Sequence, residues 1–334
     1  MQQRRPKGGP PNRAEPAPIR FQWLGVKEED ARRRGKQFYK LETLASAVER
    51  LVKSKDRVIT ATAQAALGPF DLTSLAFEYL GERPHAYLFR LRVGNARRAH
   101  QTFNFLAARS EGKHSEAVAA EFERLRVFHQ RAPKLFLRPF RAGTVFLPDR
   151  VRKRGQGREV AIYLTQAQGT LETLDGNDRG QFVLTGAEGR RALSLRDSEA
   201  VKAVVIEALA GTYDPETREM MAPPDLAAGE LLAQRQPRGG IKVRLCGCHA
   251  LLQGLAPGRF IESLVLSYSR LEGGKFPFAP EDPVALFDAV AKAKGKANAR
   301  AWVTSYIGQV DRGRLKCPDV TWLEALREAV GLKG

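Results

Sequence analysis

Residues 76 to 93 place the strongest constraint on what this chain can fold into. Two runs, Ala76-Phe77-Glu78-Tyr79-Leu80 and Ala86-Tyr87-Leu88-Phe89-Arg90-Leu91-Arg92-Val93, flank the turn Gly81-Glu82-Arg83-Pro84. In the second run Tyr87, Phe89, Leu91 and Val93 share one face, and Leu88, Arg90 and Arg92 share the other. A period of two belongs to a strand, and two such runs about a glycine-proline turn make a hairpin. The chain must therefore build an antiparallel sheet. Val58-Ile59-Thr60-Ala61-Thr62 is rich in β-branched residues and predicts a further strand, ended by Gly68-Pro69. Glu159-Val160-Ala161-Ile162-Tyr163-Leu164-Thr165 predicts the second strand of another hairpin. Two helices fit around these strands. Phe38, Leu41, Leu44, Ala45, Val48, Leu51 and Val52 have helical spacing over 36–54, and Ala117, Ala120, Phe122, Leu125 and Phe128 have it over 114–130.

After a short polar linker, Gln166 to Thr170, the pattern turns helical. Val201, Val204, Val205, Ile206 and Leu209 follow Ser198, a natural N-cap, and Gly211 ends the run. Asp197 reads as part of that cap. Further helical spacing covers 255–271, Pro283 to Ala291, and the region of Trp302, Val303, Tyr306 and Ile307. Pro318-Asp319 caps a last helix that carries Val320, Leu323, Leu326 and Val330 on one face. The expected fold class is α+β and bilobal. An antiparallel sheet-containing lobe spans 21–165, a mostly helical lobe spans 171–334, and a disordered basic arm spans 1–20.

Composition narrows the class. With 334 residues and 43% hydrophobic content the chain can bury one large core or two ordinary ones. It has no apolar run long enough for a transmembrane helix, and no apolar segment of a secretory signal follows its basic start. Three cysteines, Cys246, Cys248 and Cys317, do not make a disulfide framework, and a reducing cytoplasm is the expected location. The formal charge of +18 favours polyanionic partners, nucleic acid or acidic protein.

The chemistry concentrates in Pro223-Pro224-Asp225-Leu226-Ala227-Ala228-Gly229-Glu230-Leu231-Leu232-Ala233. Asp225 precedes Glu230 by five residues, and a strand, Ile241 to Leu245, comes next. This layout resembles the catalytic loop of kinase-like phosphotransferases, the aminoglycoside phosphotransferases in particular. Strand, helix, hairpin and polar linker are likewise similar to the small lobe and hinge of that family, and the resemblance spans about residues 57 to 252. It implies ATP and magnesium as ligands, Asp225 as catalytic base and Glu230 as metal ligand. It also implies that Glu121 on the helix pairs with a strand cation, Arg92 or Arg90, to hold the phosphates, where the family has Lys. The sequence departs from the pattern in three places. Cys246-Gly247-Cys248 stands where the second metal-binding Asp belongs, Pro223 stands where the family has His, and no glycine-rich phosphate loop is present. The resemblance thus implies a pseudokinase with a binding or regulatory role or, if an enzyme, a divergent ATP-dependent phosphotransferase.

A second class of function is open. The basic arm, the loop containing Arg152, Lys153, Arg154 and Arg158, and the segment Lys292, Lys294, Lys296, Arg300 could contact nucleic-acid phosphates, with Phe103, Phe105 and Tyr306 as candidate stacking aromatics. Cys246 and Cys248 on a continued strand would point to one face and His249 away. With Cys317 far along the chain the set lacks the second paired knuckle of a structural zinc site, so zinc is not expected and buried thiols are.

Overall fold

A computed structural model of the chain describes residues 18–332, apart from 33–38, 55–57, 69–71, 98, 149–156, 168, 178, 187–188, 238–239 and 272–273. Strand β1 (Arg20–Leu24) and helices α1 (Val26–Arg32), α2 (Leu41–Lys53) and α3 (Ile59–Leu67) come first. Strands β2 (Leu72–Glu82), β3 (Ala86–Asn95) and β4 (His100–Ala108) follow as a meander, then helix α4 (Lys113–Arg131), then the hairpin β5 (Pro139–Pro148) and β6 (Gly157–Gln166). These six strands form one sheet in the order β1-β2-β3-β4-β6-β5. β1 runs parallel to β2 and the other pairs are antiparallel.

The sheet is covered on both sides. Register puts Tyr87 of β3 beside Ala107 of β4, and Ala107 beside Ile162 of β6, so these share a face. Tyr39, just ahead of α2, meets the Tyr87 ring edge-on at 5.5 Å. Tyr163, next to Ile162 and so on the opposite face, packs on Phe122 of α4 with ring centroids 5.8 Å apart. Double coverage explains why Phe103 to Ala108 is buried without a break, where a half-solvated strand would alternate. Aromatic rings fill the α2 side: Trp23 stacks on Phe77 at 4.1 Å, and Phe77 meets Phe105 edge-on at 5.4 Å. A buried ring of this size stabilises by about 1.5–3 kcal/mol.

The second part begins with the meander β7 (Glu172–Gly176), β8 (Phe182–Gly186) and β9 (Gly189–Ala192). Helix α5 (Leu195–Thr212), strands β10 (Met220–Met221), β11 (Leu231–Arg235), β12 (Ile241–Leu245) and β13 (Leu251–Leu252), and helix α6 (Pro257–Val265) follow. The chain ends with the hairpin β14 (Tyr268–Leu271) and β15 (Gly274–Pro277) and helices α7 (Pro283–Lys294), α8 (Lys296–Asp311) and α9 (Val320–Ala329). The division into a sheet-containing first part and a helix-rich second part is the expected α+β class. The second part also carries a five-stranded sheet, β12-β11-β7-β8-β9, whose first three strands in sequence the pattern analysis did not place. Among the described residues no helix is long and apolar enough to cross a membrane.

Four local expectations change. The helix read over 255–271 ends at Val265, and Tyr268–Leu271 instead pairs with Gly274–Pro277 as a hairpin. The run Val58–Thr62 is not a strand, because Ile59 opens α3. Ile59, Thr62 and Ala63 are its buried residues, a helical spacing whose packing overrides β-branched propensity. The N-cap of α5 is Ser194, whose Oγ accepts from Asp197 N, while Ser198 is buried and its Oγ accepts from Phe182 N at 3.1 Å. The basic arm was drawn to residue 20, yet Arg20 opens β1 and Ile19 packs against the core. Residues 1–17 lie outside the described residues.

The entry to α2 is held from a distance. Asp30 at the end of α1 accepts from Leu41 N at 3.0 Å with one carboxylate oxygen and from Glu42 N at 3.1 Å with the other. It thereby satisfies two of the free N–H groups at a helix start. Asp30→Ala should lower the unfolding free energy by about 1–2 kcal/mol, and Asp30→Asn by less, measured by denaturant unfolding monitored through Trp fluorescence.

Candidate functional site

The turn between β2 and β3 does more than reverse the chain. Arg83 N donates to Ala86 O at 2.8 Å, closing the turn. The Arg83 side chain then leaves the sheet and crosses to the segment after β12. One terminal nitrogen donates to Cys246 O at 3.1 Å and the other to Cys246 Sγ at 3.0 Å. The first also lies 3.8 Å from Glu121 Oε1 on α4. Arg83 and Glu121 are both buried, as is Cys246. Burial works against the guanidinium's charge, but Cys246, Tyr163, Glu121 and Glu230 around it outweigh that and hold it above the ordinary arginine range.

Glu121 fastens the same crossing from the helix side. Its Oε1 accepts from Cys248 N at 3.1 Å. One helical turn on, Arg124 donates to the carbonyls of Cys248 and His249 at 3.0 and 3.1 Å. Burial raises the Glu121 pKa, opposed by Arg83. Beyond α4, backbone bonds join Leu137 N to Leu245 O at 2.9 Å and Leu245 N to Leu135 O at 2.7 Å. The sheet-containing part is thus tied to residues 245–249 by backbone and by charge.

The loop before β11 closes on itself. Glu230 N donates to Asp225 O at 3.2 Å, and Asp225 N donates to Glu230 Oε2 at 2.9 Å. Ala228 N donates to Asp225 Oδ1 at 3.2 Å, a local side-chain-to-backbone bond. His249 Nδ1 shares Glu230 Oε2 at 3.0 Å. Glu230 is buried at 1% exposure, so a loop spaced like a catalytic one is used to hold its own carboxylate. Gly247 lets the two buried carboxylates approach. A Cβ there would lie 2.8 Å from Glu230 Oε1 and 3.0 Å from Glu121 Oε1.

Of the residues read from sequence, Asp225, Glu230 and Glu121 come together around residues 246–249. Arg92 and Arg90 do not join them. Arg92 is exposed on β3, and Arg90 pairs with Glu78 at 3.1 Å. The strand that leads into α4 is β4, which has neither Lys nor Arg, so the cation facing Glu121 comes from the turn. The thiols do not share a strand face, because residues 246–250 are not in a strand. Cys246 packs with Leu137 and Leu232, and Cys248 belongs to the main core. His249, expected to point away, faces Glu230. Burial pushes both thiols up, so neither is a thiolate nucleophile. Among the described residues no three His, Cys, Asp or Glu side chains are placed to hold a metal ion.

The carboxylates of this cluster are not arranged as an open magnesium site. Glu230 is engaged by a backbone N–H and an imidazole, and the segment after β12 supplies no second carboxylate. A guanidinium already offsets the charge that a metal would meet. A cleft of about 1220 Å³ nevertheless opens beside the cluster. Residues 80–83 and Arg90 form one wall, and residues 169–173, Arg191 and 226–229 line it from the other part.

The basic loop lies partly outside the described residues, which include Arg158 but not Arg152, Lys153 or Arg154. Arg158 Nε is 3.7 Å from Glu111. Lys292 pairs with Glu207 at 2.6 Å, and Lys294 donates to the Gly211 and Tyr213 carbonyls. Phe103, Phe105 and Tyr306 are core residues. Arg83, Arg124 and Tyr163 escaped the pattern analysis. The one trace of Arg83 was its place in the turn that marked the hairpin.

No protein-family model matches the chain. No curated protein matches it. Among solved structures the chain is similar to a MAP kinase from Leishmania major, with 8% identity over 86% of this chain and 83% of that one and a TM-score of 0.33.

Gly247→Ala should destabilise the protein by about 1–3 kcal/mol, because the added methyl meets two carboxylate oxygens. Denaturant unfolding measures it, and an Ala variant as stable as the wild type would show that the carboxylates separate freely.

A second expectation concerns pH. The hydrogen bond to Glu230 raises the His249 pKa above the ordinary 6.5, against burial. A histidine that holds its proton more tightly folded than unfolded adds stability below pH 6.5 and loses it as pH rises through the raised value. Burial lowers His85 and His114 from 6.5, so their contribution has the opposite sense, lost as pH falls below that value. Melting temperatures above pH 6.5 should therefore fall with pH more steeply in the wild type than in His249→Asn.

Proposed function

We propose that this chain is a kinase-like protein that has exchanged phosphoryl transfer for a binding or regulatory role. The observation that carries this reading is the Arg83 guanidinium, set between Glu121 and Cys246. Phosphoryl transfer gathers negative charge that metal ions normally offset. Here an internal cation meets Glu121, and Glu230 is committed to Asp225 N and His249. The order of elements supports the kinase-like part of the reading: meander, helix, hairpin, linker, then a helix-rich part with the Asp225–Glu230 loop ahead of a hairpin. The three free cysteines suit a reducing cytoplasm.

The test is turnover. Purified protein with ATP and magnesium should release or transfer phosphate no faster than its Asp225→Ala variant. A wild type that turns over ATP while the variant does not would make it a divergent phosphotransferase instead. Loss of one metal contact costs about a hundredfold to a thousandfold in rate, so the assay must resolve slow turnover.

A further inference from the structure

The β2–β3 turn has an irregular base, and within it the buried Arg83 side chain reaches across to the second part of the chain. A register shift interrupts the β2–β3 ladder between Tyr79 and Gly81. Gly81 has φ of +143°, a conformation L side chains rarely adopt, and a Cβ there would meet nothing within 4 Å. Bulge, glycine and open space together make a hinge at the base of the turn. Beyond it Glu82 and Pro84 are exposed while Arg83 between them is 6% exposed. Glu82 bonds back to Arg109 of its own part at 3.2 Å. Arg83 crosses to Cys246, 163 residues away. The same turn residues form one wall of the 1220 Å³ cleft.

We propose that the β2–β3 turn is a latch on the cleft, hinged at Gly81 and closed by insertion of Arg83 between Glu121 and Cys246. Opening withdraws Arg83 and widens the cleft at the wall formed by residues 80–83. It also uncovers Cys246, whose Sγ sits 3.0 Å beneath the guanidinium. Cys248, two residues on, does not depend on the latch, because it is buried in the main core. The two thiols therefore report different events. Cys246 answers to local opening, and Cys248 answers to loss of the core. The latch follows from the Arg83 and Gly81 geometry and stands whether or not the cleft descends from a kinase site.

Thiol labelling of the full chain tests it, in a Cys317→Ser background that removes the partly exposed third cysteine. Mass spectrometry assigns which thiol has reacted. In the otherwise native protein Cys246 should label at a rate nearly independent of low denaturant, whereas Cys248 labelling should rise steeply with denaturant, as global unfolding does. Arg83→Gln should speed Cys246 labelling at least about tenfold more than it speeds Cys248 labelling. The latch is overturned if both cysteines share one denaturant dependence, or if Cys246 reacts in the variant as it does with Arg83 present. The denaturant series needs no Arg83 substitution, so it decides the matter even where Arg83→Gln fails to fold. ATP turnover plays no part in either readout, so failure here is distinct from failure of the functional proposal.

Discussion

A buried guanidinium sits where the two parts of this protein meet, beside the backbone bonds that also join them. Arg83 starts in a surface turn and ends among Glu121, Cys246 and Tyr163, in a region where an uncompensated charge would cost several kcal/mol. Neighbouring groups can be read from that need for balance. Glu121 is the nearest anion. Gly247 lets Glu230 approach it, and His249 places a second proton-bearing group against Glu230. Arg83 lies against Glu121, and His249 against Glu230. Such clusters contribute little net stability compared with apolar packing, but they do not tolerate a change of partner.

The kinase-like spacing of Asp225 and Glu230 acquires a different meaning in this setting. Both acidic residues of the loop bond within it. Asp225 caps Ala228 N, and Glu230 accepts from Asp225 N. A metal-binding loop leaves its carboxylates pointing outward and lets the ion complete them. In this loop Glu230 turns inward. The spacing is an economical way to build a tight turn ahead of a strand whether or not chemistry follows. Position along a chain therefore does not by itself identify a catalytic group.

Much of the fold was legible in the sequence, and the reasons differ by element. The hairpin at 76–93 showed itself because Tyr87, Phe89, Leu91 and Val93 alternate with Leu88, Arg90 and Arg92. α9 showed itself through Asp319, whose Oδ1 accepts from Trp322 N at 2.8 Å. β4 was missed because burial on both faces erased its alternation. α3 was misread because Ile59 and Thr60 favour strands locally, while packing decided otherwise. Glu121, Asp225 and Glu230 were named through the family resemblance, and the fold places them around residues 246–249. The partner of Glu121 was misassigned to β3, since nothing local marks a turn arginine that bonds across 163 residues. Pairing at that separation is a property of the whole fold.

The parallel pairing of β1 with β2 has a consequence for synthesis. β1 is made first, yet its register partner lies beyond three helices, so Trp23 leaves the ribosome well before the Phe77 ring on which it stacks. Until β2 follows, an aromatic edge strand and an amphipathic α2 lack the sheet they pack on. Asp30, which caps α2 from α1, lies entirely within that early segment and can act before any sheet exists. The carboxylate contact between the first two helices is thus local in sequence, independent of the sheet that α2 will cover.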